Sequence, residues 1–520
     1  MSAVRLESTS TPVVVPFAQA RAHAASVEGM LMSEEMSRKT HSELESTLEG
    51  KGKEWARLML EENLRLRAEA ERRTAVTGAD GTKRTSVRAS ERHLETLLGR
   101  VAVPRLAYQA EGATDLHPLD AALNLPREIF SHGVRRLVAR EAARSSFDEV
   151  VETVRDLTGA SIAKRQVEEL TIRAALDFDA FYERRAADHA SSDDLLIIST
   201  DGKGIVMRHE DLRESTRKAA ETSTHKVETR LTPGEKHNRK RMAQVATVYC
   251  IAPFPRTPAD ILHAMRDADE VSAKRPRPTD KRVWASVEKS ARAVIREAFA
   301  EALRRDPEKA RRWIVLVDGE PKQLRAVKAE ARRAKVTVTI LADIVHVLEY
   351  VWAAGRALFG ATNAKAERWV GDRLLALLSG RSGGEVAKTI RWWAARAGEL
   401  DDAAKAAIEK TCCYLADRTR TRLMHYEDAL RDGLPIATGV IEGACRHVVK
   451  DRMDRTGARW SLTGAEAVLR LRALRASKDF DAYWLFHLEQ DRERNHASRY
   501  EEGKIPDPLP APKPRLKRVK

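Results

Sequence analysis

Glu442 stands in Gly439-Val440-Ile441-Glu442-Gly443, at the head of a basic helical stretch that carries Arg446, Lys450, Arg452 and Arg459 on to Trp460. An acid followed by cations at helical spacing suits a metal ligand that must lie against a phosphate backbone. Two further carboxylates, Asp201 and Asp318, follow the apolar runs Leu195 to Ile198 and Trp313 to Val317. Acids at the ends of buried strands are how a nuclease sheet offers hard oxygen ligands to Mg²⁺. In-line attack on a phosphodiester needs an activated oxygen and charge stabilisation at the leaving 3′-oxygen, which metal ions about 3.5 to 4 Å apart supply. Taken singly, an aspartate after a strand more often caps a turn or a helix. Together, Asp201, Asp318 and Glu442 point to a polynucleotidyl transferase in which they are both the catalytic groups and the metal ligands, with two Mg²⁺ or Mn²⁺ ions as cofactor.

The elements that must position them can be read along the chain. Leu195 to Ile198, Val245 to Ile251, Trp313 to Val317 and Val336 to Leu341 are strand-like. Helices are expected over Val283 to Arg304 and Gln323 to Arg333, and strands joined by crossover helices imply an α/β core. Between these, Arg208 to Arg239 reads as a charged, exposed and mobile excursion. After His346 the spacing of Trp352, Leu358, Trp369, Leu374, Leu378, Trp392 and Leu400 is helical, with no strand signal before Glu442.

Upstream, the first forty or so residues lack a sustained period and read as poorly ordered until a helix begins near Met30. Leu44 to Leu66 is an amphipathic helix or helix pair, and Arg84 to Tyr108 a small strand element. Ser146-Phe147-Asp148-Glu149 has the spacing of a capping box; Thr158-Gly159 breaks that helix and Ser161 restarts another. This helix-turn-helix pattern carries Lys164, Arg165 and Gln166 where a recognition helix would meet DNA.

The chain has 520 residues, enough for roughly two to four domains, with a formal charge of +15 and a pI near 9.6. Its cations are spread over the whole length, which favours a polyanionic partner, nucleic acid first. Four cysteines, two of them the adjacent Cys412 and Cys413, offer neither a disulfide framework nor a zinc-finger spacing. Val13 to Val15, cut short by Pro16, is too brief for a signal-peptide core. A cytoplasmic, nucleoid-associated protein without membrane contact is expected.

From about Phe130 to Lys478 the chain resembles the bacterial insertion-sequence transposases of the ISKra4 type, part of the DDE group with a ribonuclease H-like core. The likeness lies in Phe147-Asp148-Glu149 with Thr158-Gly159, Asp201-Gly202-Lys203-Gly204 with Met207-Arg208, and Val317-Asp318-Gly319. It continues through Asp343-Ile344-Val345-His346 to Trp352, Gly439 to Gly443, Arg452-Met453, and Gly457 with Trp460. The resemblance implies that Asp201, Asp318 and Glu442 are the first, second and third catalytic carboxylates. Asp343 to His346 resembles an Asp-x-x-His motif of related transposases, making Asp343 and His346 auxiliary. Asp343 also follows an apolar strand; motif order and Gly319 favour Asp318 over it as the ligand.

The implied fold is α/β, a ribonuclease H-like mixed-sheet core with an all-α insertion and an N-terminal helical DNA-binding region. The expected divisions are 1–40 without order, 41–125 helical, 126–190 helix-turn-helix-like, 191–355 the first part of the core, 356–430 the insertion, 431–480 the core's C-terminal helix, and 481–520 a basic, Pro-rich tail unable to fold alone. The implied activity is binding of element ends, strand cleavage and joining of the 3′-OH ends to target DNA, by a homo-oligomer, at least a dimer, on double-stranded DNA. Arg446, Lys450, Arg452 and Arg459 are expected on that DNA, and Trp460 is a candidate for stacking on unpaired bases, although burial in a helical domain is the commoner role of such a tryptophan. The alternatives are an inactive DNA-binding regulator derived from a transposase and a ribonuclease H-like nuclease or resolvase.

Overall fold

The computed structural model describes residues 15–185, 193–221, 239–266, 275–360 and 363–509. The chain divides into two compact units, residues 1–177 with 482–520, and residues 178–481.

The first unit begins earlier than the sequence suggests. Helices Ala18–Leu31 and Glu34–Ser37 precede the long helix His41–Glu69, so helix begins at Ala18 and not near Met30, within the segment 1–40 expected to lack order. Thr40 and Glu43 close a capping box at the long helix's start, satisfying donors that would otherwise be orphaned. Two short strands, β1 (Val76–Thr77) and β2 (Lys83–Arg84), pair with each other. The longer β3 (Ser86–Thr96) and β4 (Gly99–Gln109) form an antiparallel hairpin.

Helices His132–Ala142, Phe147–Thr158 and Lys164–Ala174 share a core of Val134, Val138, Val150, Val154, Val167 and Leu170. Ser146 and Glu149 form the expected capping box, and Gly159 ends the middle helix at φ +72°, a left-handed position that glycine occupies without strain. The last helix starts at Lys164, three residues after the restart expected at Ser161.

The supposed tail from residue 481 onward is also folded in large part. Helix Phe480–Asn495 carries Tyr483, His487 and Asp491, all buried. Within the first unit the Tyr483 hydroxyl donates to the Ala174 carbonyl at 2.7 Å, His487 Nδ1 lies 2.7 Å from Asp177, and Arg135 reaches Asp491 at 2.6 Å. A segment that reads as a basic, Pro-rich tail unable to fold alone contributes a buried polar network of Tyr483, His487 and Asp491. Of the tail's prolines, Pro510, Pro512 and Pro514 lie outside the described residues.

Glu71, at the end of the long helix, accepts from the Leu106 N–H at 3.3 Å. Burial first, with the charge of Asp120 adding to it, raises its pKa to about 7. Because the folded value exceeds the unfolded one, stability is fully present below the ordinary glutamate range and is lost as pH rises through 7. Urea unfolding followed by circular dichroism should show a fall of at most about 3 kcal/mol over that window, flattened in Glu71→Gln; an unchanged slope in the variant would refute this.

The second unit is built on a five-stranded mixed sheet. Its strands are β5 (Leu195–Val206), β6 (Lys240–Ile251), β7 (Thr279–Ser286), β8 (Trp313–Val317) and β9 (Val338–Ala342), in spatial order β7-β6-β5-β8-β9. β5 is antiparallel to β6 and β6 to β7, whereas β8 lies parallel to β5 and β9 parallel to β8. The first six residues of β5 and all of β8 are buried, as expected of central strands covered on both faces. Helices Ala291–Arg305 and Leu462–Ala476 pack against β5 and β6, and against β7, respectively.

Two sequence expectations are corrected here. β5 does not end in Asp201 but runs five residues further, and the helix expected from Val283 is strand until Ser286, starting only at Ala291. Val283-Trp284-Ala285 is a short apolar run whose period alone cannot separate strand from helix. Within Arg208 to Arg239, a short helix Glu214–Glu221 is present, and residues 222–238 lie outside the described residues. From residue 344 to 431 the described residues form helices Ile344–Phe359, Ala364–Leu378, Gly383–Ala394, Asp402–Arg420 and Tyr426–Arg431 without a strand.

Candidate active site

The strand registers bring the aspartates together. Ser199 pairs with Leu316 across β5 and β8, and Val317 with Ala342 across β8 and β9. Continued by one or two residues, these registers set Asp201, Asp318 and Asp343 in one row over three adjacent strands. The parallel pairing of β5 with β8 ends at Ser199, although β5 itself continues to Val206. Gln323, on helix Pro321–Ala334, donates from Nε2 to the Thr200 carbonyl at 2.7 Å, tying the segment after Asp318 to the strand before Asp201.

Each acid has a distinct environment. Asp201 accepts from the Gly202 N–H at 2.6 Å and from the Cys445 thiol at 3.2 Å. Asp318 accepts from the Glu320 N–H at 3.0 Å, and Gly319 follows it at φ +88°, where an added Cβ would collide with the Arg418 guanidinium. Only glycine fits that turn. Asp343 is buried and caps helix Ile344–Phe359 through the Val345 N–H at 2.9 Å; it also accepts from the Thr438 N–H at 3.3 Å and from the Thr438 hydroxyl.

Thr438 immediately precedes helix Gly439–Ala444, which carries Glu442. Asp343 thus anchors that helix at its start, and Cys445 anchors its end to Asp201. Glu442 is exposed, and its pKa is raised by partial desolvation, by the charges of Asp343 and Glu349, by a hydrogen bond with Asp343 and by the charge of Asp201. Burial, then Asp201, likewise pushes the Cys445 thiol up. Immediately after Ala444 the chain winds as a π-helix, Cys445–Lys450, a rare form that is frequently met at functional sites. Arg472 supports it by donating from Nε to the Val448 carbonyl at 2.7 Å.

The site residues named from sequence fall into groups. Glu442 contacts Asp343 and senses Asp201, while Asp318 lies beside Tyr414, whose pKa its charge helps raise after burial. His346 is half-buried and turned to Glu349 at 3.3 Å and to the Tyr350 ring. Glu349, Thr438, Gln323 and Cys445 were missed. Glu349 stood in the quoted motif, three residues from His346, a spacing that puts both on one helix face; nothing local marked the others.

The donor set suits a hard divalent cation. Carboxylates crowd until one of them resists ionisation, a cost that a cation relieves. Among the described residues, no three of His, Cys, Asp and Glu already converge as a metal-holding group. Ligation by Asp201, Asp318 and Glu442 therefore requires side-chain rotation from these positions.

The DNA-contact expectations divide in the same way. Arg446, Lys450 and Arg459 are exposed. Arg452 and Trp460 are buried, with the guanidinium stacked 4.7 Å from the ring centre. Trp460 Nε1 donates to the Met453 carbonyl at 3.0 Å, and its backbone bridges to Met207 beyond β5. These two hold the end of the central strand, so their expected place on DNA is corrected: their polar and aromatic surfaces are spent on packing.

In the first unit Lys164 and Arg165 are exposed, paired with Asp148 at 2.6 Å and Glu169 at 3.1 Å. Gln166 is not turned outward to read bases; its Oε1 accepts from the Ala163 N–H at 3.0 Å and caps its own helix. Gln166→Ala should therefore cost about 1 kcal/mol of stability, read as a lower thermal midpoint, and a variant with unchanged stability would refute the capping role.

No protein-family model matches the chain, and no curated protein matches it either. Among the described residues, no helix is long and apolar enough to cross a membrane.

Proposed function

We propose that this chain is a DNA transposase, a divalent-metal-dependent polynucleotidyl transferase whose second unit is a ribonuclease H-like core. The observation that carries the reading is that Asp201 lies two residues past the last β5 position paired in parallel with β8, Asp318 and Asp343 directly follow β8 and β9, and the segment of Glu442 is tied to Asp343 through Thr438 and to Asp201 through Cys445. The strand order β7-β6-β5-β8-β9, in which β6 alone runs antiparallel to the other four, supports it further.

In this reading Asp201, Asp318 and Glu442 hold Mg²⁺ or Mn²⁺, which when bound stabilises charge on the attacking and leaving oxygens. Asp343 keeps Glu442 in place through Thr438. Water attacks the scissile phosphorus and the P–O3′ bond breaks, freeing a 3′-hydroxyl that in turn attacks a target phosphodiester. Arg446, Lys450 and Arg459 neutralise backbone phosphates beside the acids, and the three-helix cluster of the first unit binds the element ends. Assembly of at least two copies on DNA belongs to the same proposal, because both ends must be joined.

The direct test is incubation with DNA carrying the element's own ends in Mg²⁺ or Mn²⁺, with products resolved on a denaturing gel. Nicks bearing 3′-hydroxyls and joined products are expected, and none with EDTA; intact DNA under every metal condition would overturn the proposal. For end recognition, Arg165→Ala should reduce discrimination between end and random duplexes by roughly 1 to 3 kcal/mol. Equal loss on both duplexes would mean that Arg165 positions the protein without reading sequence.

A further inference from the structure

The helix of Glu442 has a second face. Gly439, Val440 and Gly443 form one wall of an open cleft of about 860 Å³ in the second unit, whose opposite side is the β7 region and the end of helix Ala291–Arg305. Its lining holds seven Lys and Arg side chains against three carboxylates. Arg277, Lys281 and Lys478 are exposed. Deeper in, Arg282 and Arg305 meet Glu301 at 2.5 and 2.7 Å, and Arg304 also reaches it. Burial would raise the Glu301 carboxyl, but the three guanidiniums hold it down to about 2. One carboxylate therefore neutralises only part of the cluster, and the surplus faces the cleft.

Two independent details suggest an occupant that approaches backbone closely. An added Cβ at Gly439 or Gly443 would meet nothing within 4 Å, so this stretch of helix wall is bare and open. Arg282, 7% exposed, stacks over Tyr182 and Trp284 and keeps its Nε without a hydrogen-bond partner among the described residues. A buried guanidinium N–H left unmatched costs free energy unless an acceptor arrives.

We propose that this cleft is a second DNA-contact site, taking the phosphodiester backbone of a strand that passes behind the Glu442 helix. The proposal rests on the DNA reading above. A strand held on the far face of this helix would steady the π-helical segment that links Glu442 to Asp201, so occupancy of the cleft and order at the acids would be coupled.

The test uses full-length protein in EDTA, where binding is read without cutting, with fluorescent random-sequence oligonucleotides, single-stranded and duplex, titrated across a salt series. The triple variant Arg277→Gln, Lys281→Gln, Lys478→Gln should flatten the slope of log K against log salt by about two to three units, with the thermal midpoint confirming that it is folded. Gly443→Gln, which fills open space, should weaken the same binding with no change in midpoint. The single-stranded and duplex arms report which form the cleft prefers. An unchanged salt slope in the triple variant, or an unchanged affinity in Gly443→Gln, would overturn the inference. Failure of the transposase reading would look different: cutting that survives Glu442→Gln, whatever the cleft variants do.

Discussion

Glu442→Gln is expected to lower Mg²⁺-dependent DNA cleavage by on the order of 10³-fold, with DNA affinity in EDTA unchanged or slightly higher. Glu442 is exposed, so the amide is accommodated, and the substitution removes a charge that Asp343, Glu349 and Asp201 already oppose. Removing it relieves repulsion and costs the fold little; what is lost is an oxygen ligand. Asp201→Asn should lose cleavage to a similar degree, because its carboxylate, which accepts from the Cys445 thiol, faces the segment that carries Glu442. The measurement is single-turnover cleavage on a denaturing gel, with affinity and thermal midpoint taken on the same preparations. Wild-type cutting by the Glu442→Gln protein would remove Glu442 from the chemistry.

The second large effect separates Asp318 from Asp343. Asp318→Asn should abolish cleavage with little change in stability, since its one local duty, accepting from the Glu320 N–H, is one an amide oxygen can perform. Asp343→Ala should do the reverse at first sight. It strips the helix cap from Val345 and leaves the Thr438 N–H and hydroxyl, both beside a buried residue, without their acceptor. Losing the cap and orphaning two donors should cost about 2 to 4 kcal/mol, and cleavage falls only because the Glu442 helix loosens. The informative variant is Asp343→Asn, which keeps an acceptor for Thr438. If Asp343→Asn retains cleavage while Asp318→Asn loses it, Asp318 is the ligand and Asp343 the positioning residue. The opposite pattern would exchange their roles, which the contact between Asp343 and Glu442 makes a real alternative.

Much of the core was legible in the chain. The apolar runs before Asp201 and Asp318 and before Asp343 became β5, β8 and β9 because continuous Val, Ile and Leu can be satisfied only by burial on both faces. The Ser146 capping box and Gly159 marked one helix and its stop to the residue, since both act through local hydrogen bonds and backbone conformation. Where period alone was available, the reading slipped. Val283 to Ser286 reads as the start of a helix but is strand, and residues 481–495 read as part of a basic, Pro-rich tail but continue the helix Phe480–Asn495. The partners that bury His487 and Asp491 lie more than three hundred residues away in sequence, at Asp177 and Arg135.

For the candidate site, residue types alone determined that the chain carries acids after buried strands and an acid leading a basic helix. Those features belong to local sequence, where hydrophobic runs and charges sit side by side. Only the tertiary structure decided that Asp201, Asp318 and Asp343 share one row, because register is a property of strand pairing and a slip of one residue would have moved each of them to the other face of the sheet. It also decided that Asp343 and Cys445 clamp the two ends of the Glu442 segment and that Arg452 and Trp460 are buried. A cation and an aromatic ring read the same in a sequence whether they face DNA or each other, and burial, which separates the two, is settled by packing between elements far apart in the chain.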